Sequence, residues 1–403
     1  MACLGCRQQA APTPGGAASG GSIKADRAAI EDMQPISAYH VGEPLTEEEC
    51  QGWGNQLVRG MAAHEDALLA SLIDWRSMLD RATSGIDVPQ NMRTGFSQGA
   101  VQGITKSVLG DVQNAIDQGY PYRMIRVLRI DGQHRVLMRL MPGTGGAAYH
   151  DFTLARRADG VVRAVDMYLY INGESVSESV RRMYLMFVMD KNKGFLDRLR
   201  GTKNPLVEHI QDIAKIAELV RGGQGAEALR LSEKLPRELH RERSVIVLRH
   251  AAAQAVGEAE YAATMADLEQ LVPDDGSMDL MMIDAYFLKQ DYKRAMRCLN
   301  CFDKAIGGDS YMDALRANLY SSEGQLEKAR RAISRAIEQE SDIISYHWIL
   351  ITIQLQESDF EGVLESLKFI DSNFAVELED LTTVPEYAEF VKSPQYQSWL
   401  ESR

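Results

Sequence analysis

A ladder of small and aliphatic residues in the second half of the chain constrains the fold more than any other feature. Its members are Ala228, Ala262, Ala295, Ala329 and Val363, and the intervals between them are 34, 33, 34 and 34 residues. A pair of antiparallel helices with its turns uses about this many residues and leaves an apolar face that only the next pair can cover. The ladder therefore predicts an all-α solenoid of stacked helix pairs.

Other positions repeat together with the ladder. They are Tyr286 and Tyr320 nine residues before their alanines, the turn glycine Gly324, the second small residue Ala336, and Pro273 after a second helix. This pattern resembles the tetratricopeptide repeat (TPR) family, and the resemblance implies a TPR-like solenoid over residues 191–403. The first two units lack the tyrosine, so their register is fixed only to within one residue. The fifth unit has Gln354 in place of the tyrosine.

The last segment of the chain is rich in aromatic residues. Tyr387, Phe390, Tyr396 and Trp399 all follow the last predicted repeat. The open end of a solenoid would expose an apolar face, which terminal capping elements cover. We therefore expect these aromatics to form a carboxyl-terminal cap.

The first half of the chain changes from helical to strand periodicity. Apolar residues at helical spacing predict one helix over Asn55–Thr83 and another over Phe96–Ile116. Four alternating runs follow, with hairpin signals at Asp131-Gly132 and at Asp159-Gly160. This order predicts an α+β domain over residues 55–190, in which helices precede and cover an antiparallel four-stranded meander.

The segment YHDFTLARRADGVVRAVDMYLYINGES, with the helices before it, resembles the nuclear transport factor 2-like fold. That fold includes isomerases, so the resemblance implies that a carboxylate base and a tyrosine hydroxyl could share a pocket. The polar residues available are His134, His150, Asp151, Asp166, Tyr168 and Tyr170, of which His150, Asp166, Tyr168 and Tyr170 are the pocket candidates. In the alternative, the two tyrosines cover the sheet and Asp166 pairs with Arg163 or Arg139.

The TPR resemblance also implies which side chains would face a partner. In that family the first helix of each pair lines a concave groove, where aromatic and polar side chains anchor a protein or peptide. The groove candidates are Asp284, Phe287, Tyr311, Asn318, Trp348 and Thr352. In the alternative, Phe287 and Trp348 pack between helix pairs. The lysine and asparagine pairs with which the family clamps an acidic peptide terminus are not assembled, which disfavours a receptor for chaperone tails.

Charge and motif content limit the functional classes. The 403 residues include 44 basic and 57 acidic ones, and the net charge of -13 repels nucleic-acid phosphates and anionic lipid surfaces. The sequence has no run of 18 apolar residues, no nucleophile elbow, no phosphate-binding loop, no dinucleotide fingerprint and no His-Glu metal motif. We therefore expect no metal, no cofactor and no nucleic-acid partner.

The cysteines do not predict a disulfide framework, because there are five of them. Cys298 and Cys301 form a C-x-x-C pair within a helical pattern, which predicts two semi-buried residues on one turn. The Gly/Ala/Pro/Ser-rich tract after Cys6 predicts a flexible tether within residues 1–54. Leu-Gly-Cys resembles the end of a bacterial lipoprotein signal, although the charged start and apolar core of such a signal do not precede it. Acylation of Cys6 would anchor the chain at the cell envelope, and without it the chain would be cytoplasmic.

Two functional hypotheses follow from the sequence. The first is a noncatalytic interaction protein that holds a partner in the groove of its repeats. The second is a small-ligand binder, or an isomerase- or hydrolase-type enzyme, that uses the α+β pocket and docks through the repeats. Convergence of Asp166, Tyr168 and a histidine on an open cavity would favour the second hypothesis.

Overall fold

The computed structural model describes most of the chain from residue 44 onward. The described ranges are 44–85, 89–104, 109–130, 132–141, 146–157, 159–191, 205–272, 276–374, 376 and 380–401. Within them the chain forms two compact units, one that ends at Leu288 and one that begins at Lys289. Most of the predicted tether, including Cys6, lies outside the described residues. The predicted domain boundary between residues 190 and 191 stays a prediction.

The described residues of the first unit before the sheet form five helices. They are α1 (Glu47–Ala62), α2 (Asp66–Leu72), α3 (Trp75–Thr83), α4 (Gln90–Ile104) and α5 (Gly110–Asp117). Helix α1 starts with a capping box, because Thr46 accepts a hydrogen bond from the backbone of Glu49 and the Glu49 side chain accepts one from the backbone of Thr46. This signal places the helix start inside the predicted lead-in.

The single helix predicted over Asn55–Thr83 is wrong, because the structure divides this segment among α1, α2 and α3. The break before α3 has a local cause. Ile73 adopts an extended backbone and bridges in parallel to Ala164 of the sheet. Asp74 then caps α3 by accepting a hydrogen bond from the backbone N–H of Ser77 at 3.0 Å. Within the segment predicted as a helix over Phe96–Ile116, the structure describes α4 and α5, and residues 105–108 lie outside the described residues.

The sheet that follows is an antiparallel meander. Its strands are β1 (Tyr122–Ile130), β2 (Gln133–Leu140), β3 (Ala148–Arg156), β4 (Val162–Leu169) and β5 (Glu174–Ser175), and each pairs with the next. The predicted meander is confirmed, with one strand more than the four predicted. Strand β5 has only two residues, so it carries no periodicity that a sequence could show. The resemblance to the nuclear transport factor 2-like fold stays a prediction.

One face of the sheet packs against the helices. Trp53 and Leu57 of α1 lie in one buried cluster with Val136, Met138 and Phe152 of the sheet. The indole N–H of Trp53 donates a hydrogen bond to the carbonyl of Leu72 at 3.0 Å, so its polar atom is satisfied inside the core. Each large apolar side chain buried in this way contributes about 1.5–3 kcal/mol.

Between the sheet and the repeats, the described residues form α6 (Val176–Lys191) and α7 (Pro205–Glu208). Ten helices follow in the described residues, and in chain order they alternate as the first and second helices of the five repeats that the period predicted. We call the two helices of one repeat a pair, in the sense of sequence order only. The pairs are α8 (Ile210–Arg221) with α9 (Gly225–Ser232), α10 (Arg243–Val256) with α11 (Glu258–Leu271), α12 (Asp279–Leu288) with α13 (Tyr292–Ile306), α14 (Ser310–Ser322) with α15 (Leu326–Gln339), and α16 (Ile344–Gln356) with α17 (Phe360–Asn373). Helix α12 belongs to the first unit and α13 to the second.

The ladder position is the fourth residue of the second helix in each pair. Four of its occupants, Ala228, Ala295, Ala329 and Val363, have no exposed surface, as close helix packing requires. The prediction for the second pair is wrong by one residue, because Tyr261 occupies the ladder position and Ala262 is only half-buried. The shift arises before this pair, because only 22 residues separate Ala228 from His250, whereas 23 separate the corresponding positions of each later repeat. The turn at Gly257 is short, but α10 is correspondingly longer, so the spacing across the turn is unchanged.

The four longer turns share one backbone conformation. Gly223, Gln290, Gly324 and Ser358 each lie five residues before their ladder residue and have φ values of 71°, 57°, 73° and 57°. This left-handed region favours glycine, which is why Gly324 was recognisable in the sequence. Gln290 and Ser358 adopt the same conformation with a side chain, so their turns carry no glycine signal.

The end of the second unit is covered by aromatic residues. Short 3₁₀ turns at Leu381–Thr383, Pro385–Tyr387 and Phe390–Lys392 lead to α18 (Pro394–Glu401). The four predicted aromatics are buried in one cluster with residues of α17; they are Tyr387, Phe390, Tyr396 and Trp399. They cover the last helix pair, as the capping prediction requires.

Candidate functional site

The six groove candidates lie on the first helices of the last three pairs. They are Asp284 and Phe287 on α12, Tyr311 and Asn318 on α14, and Trp348 and Thr352 on α16. Five of them are half-buried and Thr352 is exposed, whereas Ala285, Ala317 and Ile351 of the same helices are buried. All six therefore retain some accessible surface. Their role in partner binding stays a prediction.

A polar side chain recurs at one repeat position of these first helices. Asp284, Asn318 and Thr352 each precede the ladder residue of their pair by eleven residues. Counted from Tyr261, the equivalent residue of the second pair is His250. Sequence reasoning missed this histidine, because a ladder placed at Ala262 shifts the position to an alanine. We call His250, Asp284, Asn318 and Thr352 the polar column.

Tyr261 connects two members of the polar column within the first unit. Its hydroxyl donates a hydrogen bond to Asp284 Oδ2 at 3.4 Å and lies 3.3 Å from His250 Nε2. The rings of Tyr261 and His250 meet edge to face, with centroids 5.4 Å apart. Burial lowers the pKa of His250 to about 4, so the imidazole is neutral near pH 7. Burial, followed by the Asp284 charge, raises the pKa of Tyr261.

In the second unit, Trp348 and Thr352 interact within one helix pair. Trp348 packs against the buried cluster that contains Ile351 and Val363. The Thr352 hydroxyl donates a hydrogen bond to the carbonyl of Trp348 at 3.0 Å. Trp348 therefore packs against other helices, as the alternative interpretation predicted, and its side chain also remains partly exposed. Such an amphipathic aromatic suits an interface as well as a core.

His150, the first pocket candidate of the α+β domain, lies in the helix-covered core. It is 8% exposed, and its Nδ1 lies 3.2 Å from the hydroxyl of Tyr122, which belongs to the core cluster. Burial lowers the pKa of His150 to about 4 and raises the pKa of Tyr122. Both groups are therefore neutral near pH 7, and they form a satisfied hydrogen-bonded pair inside the core.

Asp166 has a structural set of hydrogen-bond partners. Its carboxylate accepts hydrogen bonds from Arg81 Nη1 at 2.9 Å, from the Ser177 hydroxyl at 2.5 Å, and from the backbone N–H groups of Met167 and Ser177. Burial raises the pKa of this carboxyl, although the Ser177 and Arg81 contacts favour its charged form. The predicted arginine partners were wrong: the partner is Arg81 of α3, and Arg163 pairs with Asp159 at 2.8 Å. Asp166 thereby ties β4 to α3 and α6.

Tyr168 and Tyr170 lie on the sheet face opposite His150. Their rings are 5.0 Å apart, and Asp151 is the cross-strand partner of Tyr168. Asp151 is fully buried; its Oδ2 accepts a hydrogen bond from Arg135 at 3.1 Å, and its Oδ1 has no hydrogen-bond partner among the described residues. Burial raises the pKa of Asp151 to about 6. Sequence reasoning did not single out Arg135, whose partner became visible only with the strand register.

The four pocket candidates therefore do not converge. His150 is engaged in the core on one face, the Asp166 carboxylate is bonded to α3 and α6, and the two tyrosines lie with Asp151 on the other face. This arrangement does not meet the condition that would have favoured an enzyme.

The two cysteines of the C-x-x-C pair lie on one turn of α13. Cys298 is half-buried, as the helical pattern predicted, whereas Cys301 is exposed, so the prediction was wrong for Cys301. No group of three or more histidine, cysteine or acidic side chains in the described ranges is placed to hold a metal ion. Nor is any described helix long and apolar enough to cross a bilayer.

Comparison with known proteins yields only distant similarities. No protein-family model and no curated protein matches the chain. Among solved structures, the chain is similar to MamA (41-end) from Desulfovibrio magneticus RS-1, with a TM-score of 0.34 and 19% identity over 40% of this chain and 92% of that one. It is also similar to the MamA RS-1 ArsTM double mutant, with a TM-score of 0.32 and 20% identity over 40% and 96% of the two chains. The fold assignment rests on the helix pairs and the sheet themselves.

Proposed function

We propose that this chain is a noncatalytic interaction protein, which holds a protein or peptide partner on the first helices of its repeats. The observation that carries the proposal is the polar column, in which a hydrogen-bonding side chain recurs with the 34-residue period. Packing of helix pairs requires small and apolar residues and no such polar series. Half-exposed aromatics on the same helices, Phe287, Tyr311 and Trp348, would supply apolar anchors beside these polar groups.

The other segments have supporting roles in this proposal. Residues 55–190 form a nuclear transport factor 2-like α+β domain, residues 191–403 form the TPR-like repeats with their cap, and residues 1–54 form a tether and a lead-in that ends in the first turns of α1. Acylation of Cys6 would place the interaction surface at a membrane. The alternative of a ligand-binding or catalytic α+β pocket has less support, because His150 and Asp166 are both engaged in structural contacts, His150 with Tyr122 and Asp166 with Ser177.

Site-specific photo-crosslinking in the full-length chain tests the proposal. A photoreactive amino acid at Thr352 is compared with the same amino acid at Lys368, an exposed residue on the second helix of the same pair. We expect a discrete adduct with a cellular protein from position 352 and at least a fivefold weaker adduct from position 368. Equal adducts from both positions, or none from position 352, would refute partner binding on the first helices.

A further inference from the structure

A cleft in the first unit lies among α9, α10 and α11. Its volume is about 340 Å³, within the range of small-ligand cavities. One face of α9 forms one wall of the cleft, one face of α11 forms the opposite wall, and α10 forms the floor. On each wall the lining residues recur at the helical spacing i, i+3, i+4 and i+7. The lining residues are Ala226, Leu229, Arg230 and Glu233 of α9, Glu260, Ala263, Thr264 and Asp267 of α11, and Arg249 and Val256 of α10.

The two ends of this cleft differ in polarity. Helix α10 runs antiparallel to α9, because Gly225 at the start of α9 lies against Ala252 and Val256 near the end of α10. One end of the cleft offers the apolar side chains of Ala226 and of Val256, which is 40% exposed, with Glu260 of the first turn of α11 at its margin. The other end is seven residues away along α10, roughly 10 Å, and carries the charged group of Arg249.

The Arg249 guanidinium has more hydrogen-bond donors than the described residues around it accept from. Its side chain is 11% exposed, and its ion pair with Asp267 spans 3.7 Å, longer than a hydrogen bond. Its Nε is buried without a hydrogen-bond partner among the described residues. A guanidinium has five N–H donors, and leaving buried donors unused is costly. A carboxylate that entered this end of the cleft would accept hydrogen bonds from the terminal N–H groups of the guanidinium, in the planar, two-pronged geometry that arginine favours.

The same end of the cleft also carries negative charge. Glu233 on α9 and Asp267 on α11 line it together with Arg249. A simple anion would be repelled by these two carboxylates, and a simple cation would be repelled by the guanidinium. A ligand with both charges close together satisfies both kinds of group. The apolar end, with Leu229 and Val256, then has room for an aliphatic chain.

We propose that this cleft binds a small zwitterion with an aliphatic side chain, such as a free branched-chain α-amino acid. Its carboxylate accepts hydrogen bonds from Arg249, its ammonium donates to Glu233 or Asp267, and its side chain packs on Leu229 and Val256. The site is walled by the second helices of two pairs, whereas the proposed partner surface is on first helices. Ligand binding here is thus a second function, independent of the first.

Three isosteric ligands test the charge requirement on the full-length chain. L-Leucine is compared with 3-methylbutylamine, which lacks the carboxylate, and with 4-methylpentanoate, which lacks the ammonium, in saturation-transfer NMR titrations. Because each isostere loses one ionic contact, we expect L-leucine to bind at least tenfold more tightly than either. Binding of the amine or the acid as tight as that of L-leucine would overturn the proposal, and so would an absence of L-leucine binding.

Matched variants locate the binding in the cleft. Glu233→Gln should weaken L-leucine binding at least fivefold without weakening 4-methylpentanoate, whereas Glu227→Gln, an exposed position on α9 outside the cleft, should have no effect. Arg249→Gln should weaken L-leucine at least tenfold and leave the amine unchanged, with exposed Arg221→Gln as its control. Circular dichroism verifies the fold of each variant. Equal effects of Glu233→Gln and Glu227→Gln would show a general charge effect and contradict the site.

Discussion

Asp151 shows how a single buried residue can set the pH response of the sheet. Its carboxyl lies between strands, where it accepts a hydrogen bond from Arg135, and one of its oxygens has no hydrogen-bond partner in the described part of the chain. Desolvation outweighs the attraction of Arg135, so burial raises the pKa to about 6 from the ordinary 3.8. The folded protein therefore binds this proton more tightly than the unfolded chain does.

We predict that Asp151→Asn changes the pH dependence of stability. The contribution of Asp151 to the free energy of unfolding is fully present at pH 3.8 or below and is lost as the pH rises through about 6. Between pH 4 and pH 8 the loss is on the order of 2–3 kcal/mol. Urea unfolding at both pH values should show the wild type losing this much relative to the variant.

Asp80 provides the control. Its side chain is 73% exposed, so its carboxyl remains in contact with water in the folded protein. Asp80→Asn should leave the difference between the two pH values nearly unchanged. A constant difference between wild type and Asp151→Asn across this range would contradict the raised pKa.

The sequence indicated which polar residues are important to the sheet, but it did not indicate which residues they bond to. The sequence identified His150 and Asp166 as unusual polar residues of a sheet, and both are buried. Their partners, Tyr122 and Arg81, lie 28 and 85 residues away. Such pairs depend on strand register and on how α3 packs, neither of which a local pattern contains. The enzyme hypothesis rested on an assumed convergence that these partners prevent.

At the scale of helices and strands, the turn between β4 and β5 contacts the repeats directly. The Arg243 guanidinium, at the start of α10, donates hydrogen bonds to the carbonyl of Gly173 and to the Ser277 hydroxyl, the latter at 2.8 Å. A Cβ atom at Gly173 would lie 2.7 Å from the carbonyl oxygen of Ser277, and its φ is +66°. Glycine is therefore required both for the backbone conformation and for the close approach.

We predict that Gly173→Ala lowers the free energy of unfolding of the first unit by about 2 kcal/mol or more. A left-handed alanine costs roughly 1 kcal/mol and the overpacked contact adds a similar amount or more. Gly160→Ala is the matched control, because φ is +80° there and nothing lies within 4 Å of its added Cβ. Urea titrations should show about half the loss or less for the control. Equal losses at the two positions would mean that the Ser277 contact contributes nothing.

Helices were easier to predict than their boundaries. The apolar stripe from Asn55 to Thr83 was visible because the core-facing residues keep helical spacing across the break at Ile73. The break itself depends on a bridge to Ala164, about ninety residues later. Likewise, the 34-residue period predicted five helix pairs, but the interval between Ala228 and the next ladder residue, Tyr261, is one residue shorter than the period. That shift concealed His250 as a member of the polar column.

At the scale of the whole molecule, the chain forms two compact units, and its tryptophans report on them separately. Trp53 and Trp75 belong to the first unit, and Trp348 and Trp399 belong to the second. In repeat proteins each helix pair contacts only its neighbours, so a local loss of stability spreads over a limited distance. The aromatic cap at the end of the second unit is the clearest place to test this behaviour.

We predict that Phe390→Ala destabilises the second unit selectively. Phe390 has no exposed surface, and its ring lies 5.3 Å from that of Tyr396 and 6.0 Å from that of Phe360. Its truncation should cost about 3–5 kcal/mol, as for other buried phenylalanines. Urea unfolding followed by fluorescence measures this loss through Trp348 and Trp399, once Trp53 and Trp75 are replaced by phenylalanine. With Trp348 and Trp399 replaced instead, Trp53 and Trp75 should show an unchanged midpoint.

Leu400→Ala, at a 47% exposed position of α18, is the control and should have little effect on either pair of reporters. A parallel shift of both midpoints by Phe390→Ala would show one cooperative unit and contradict the prediction.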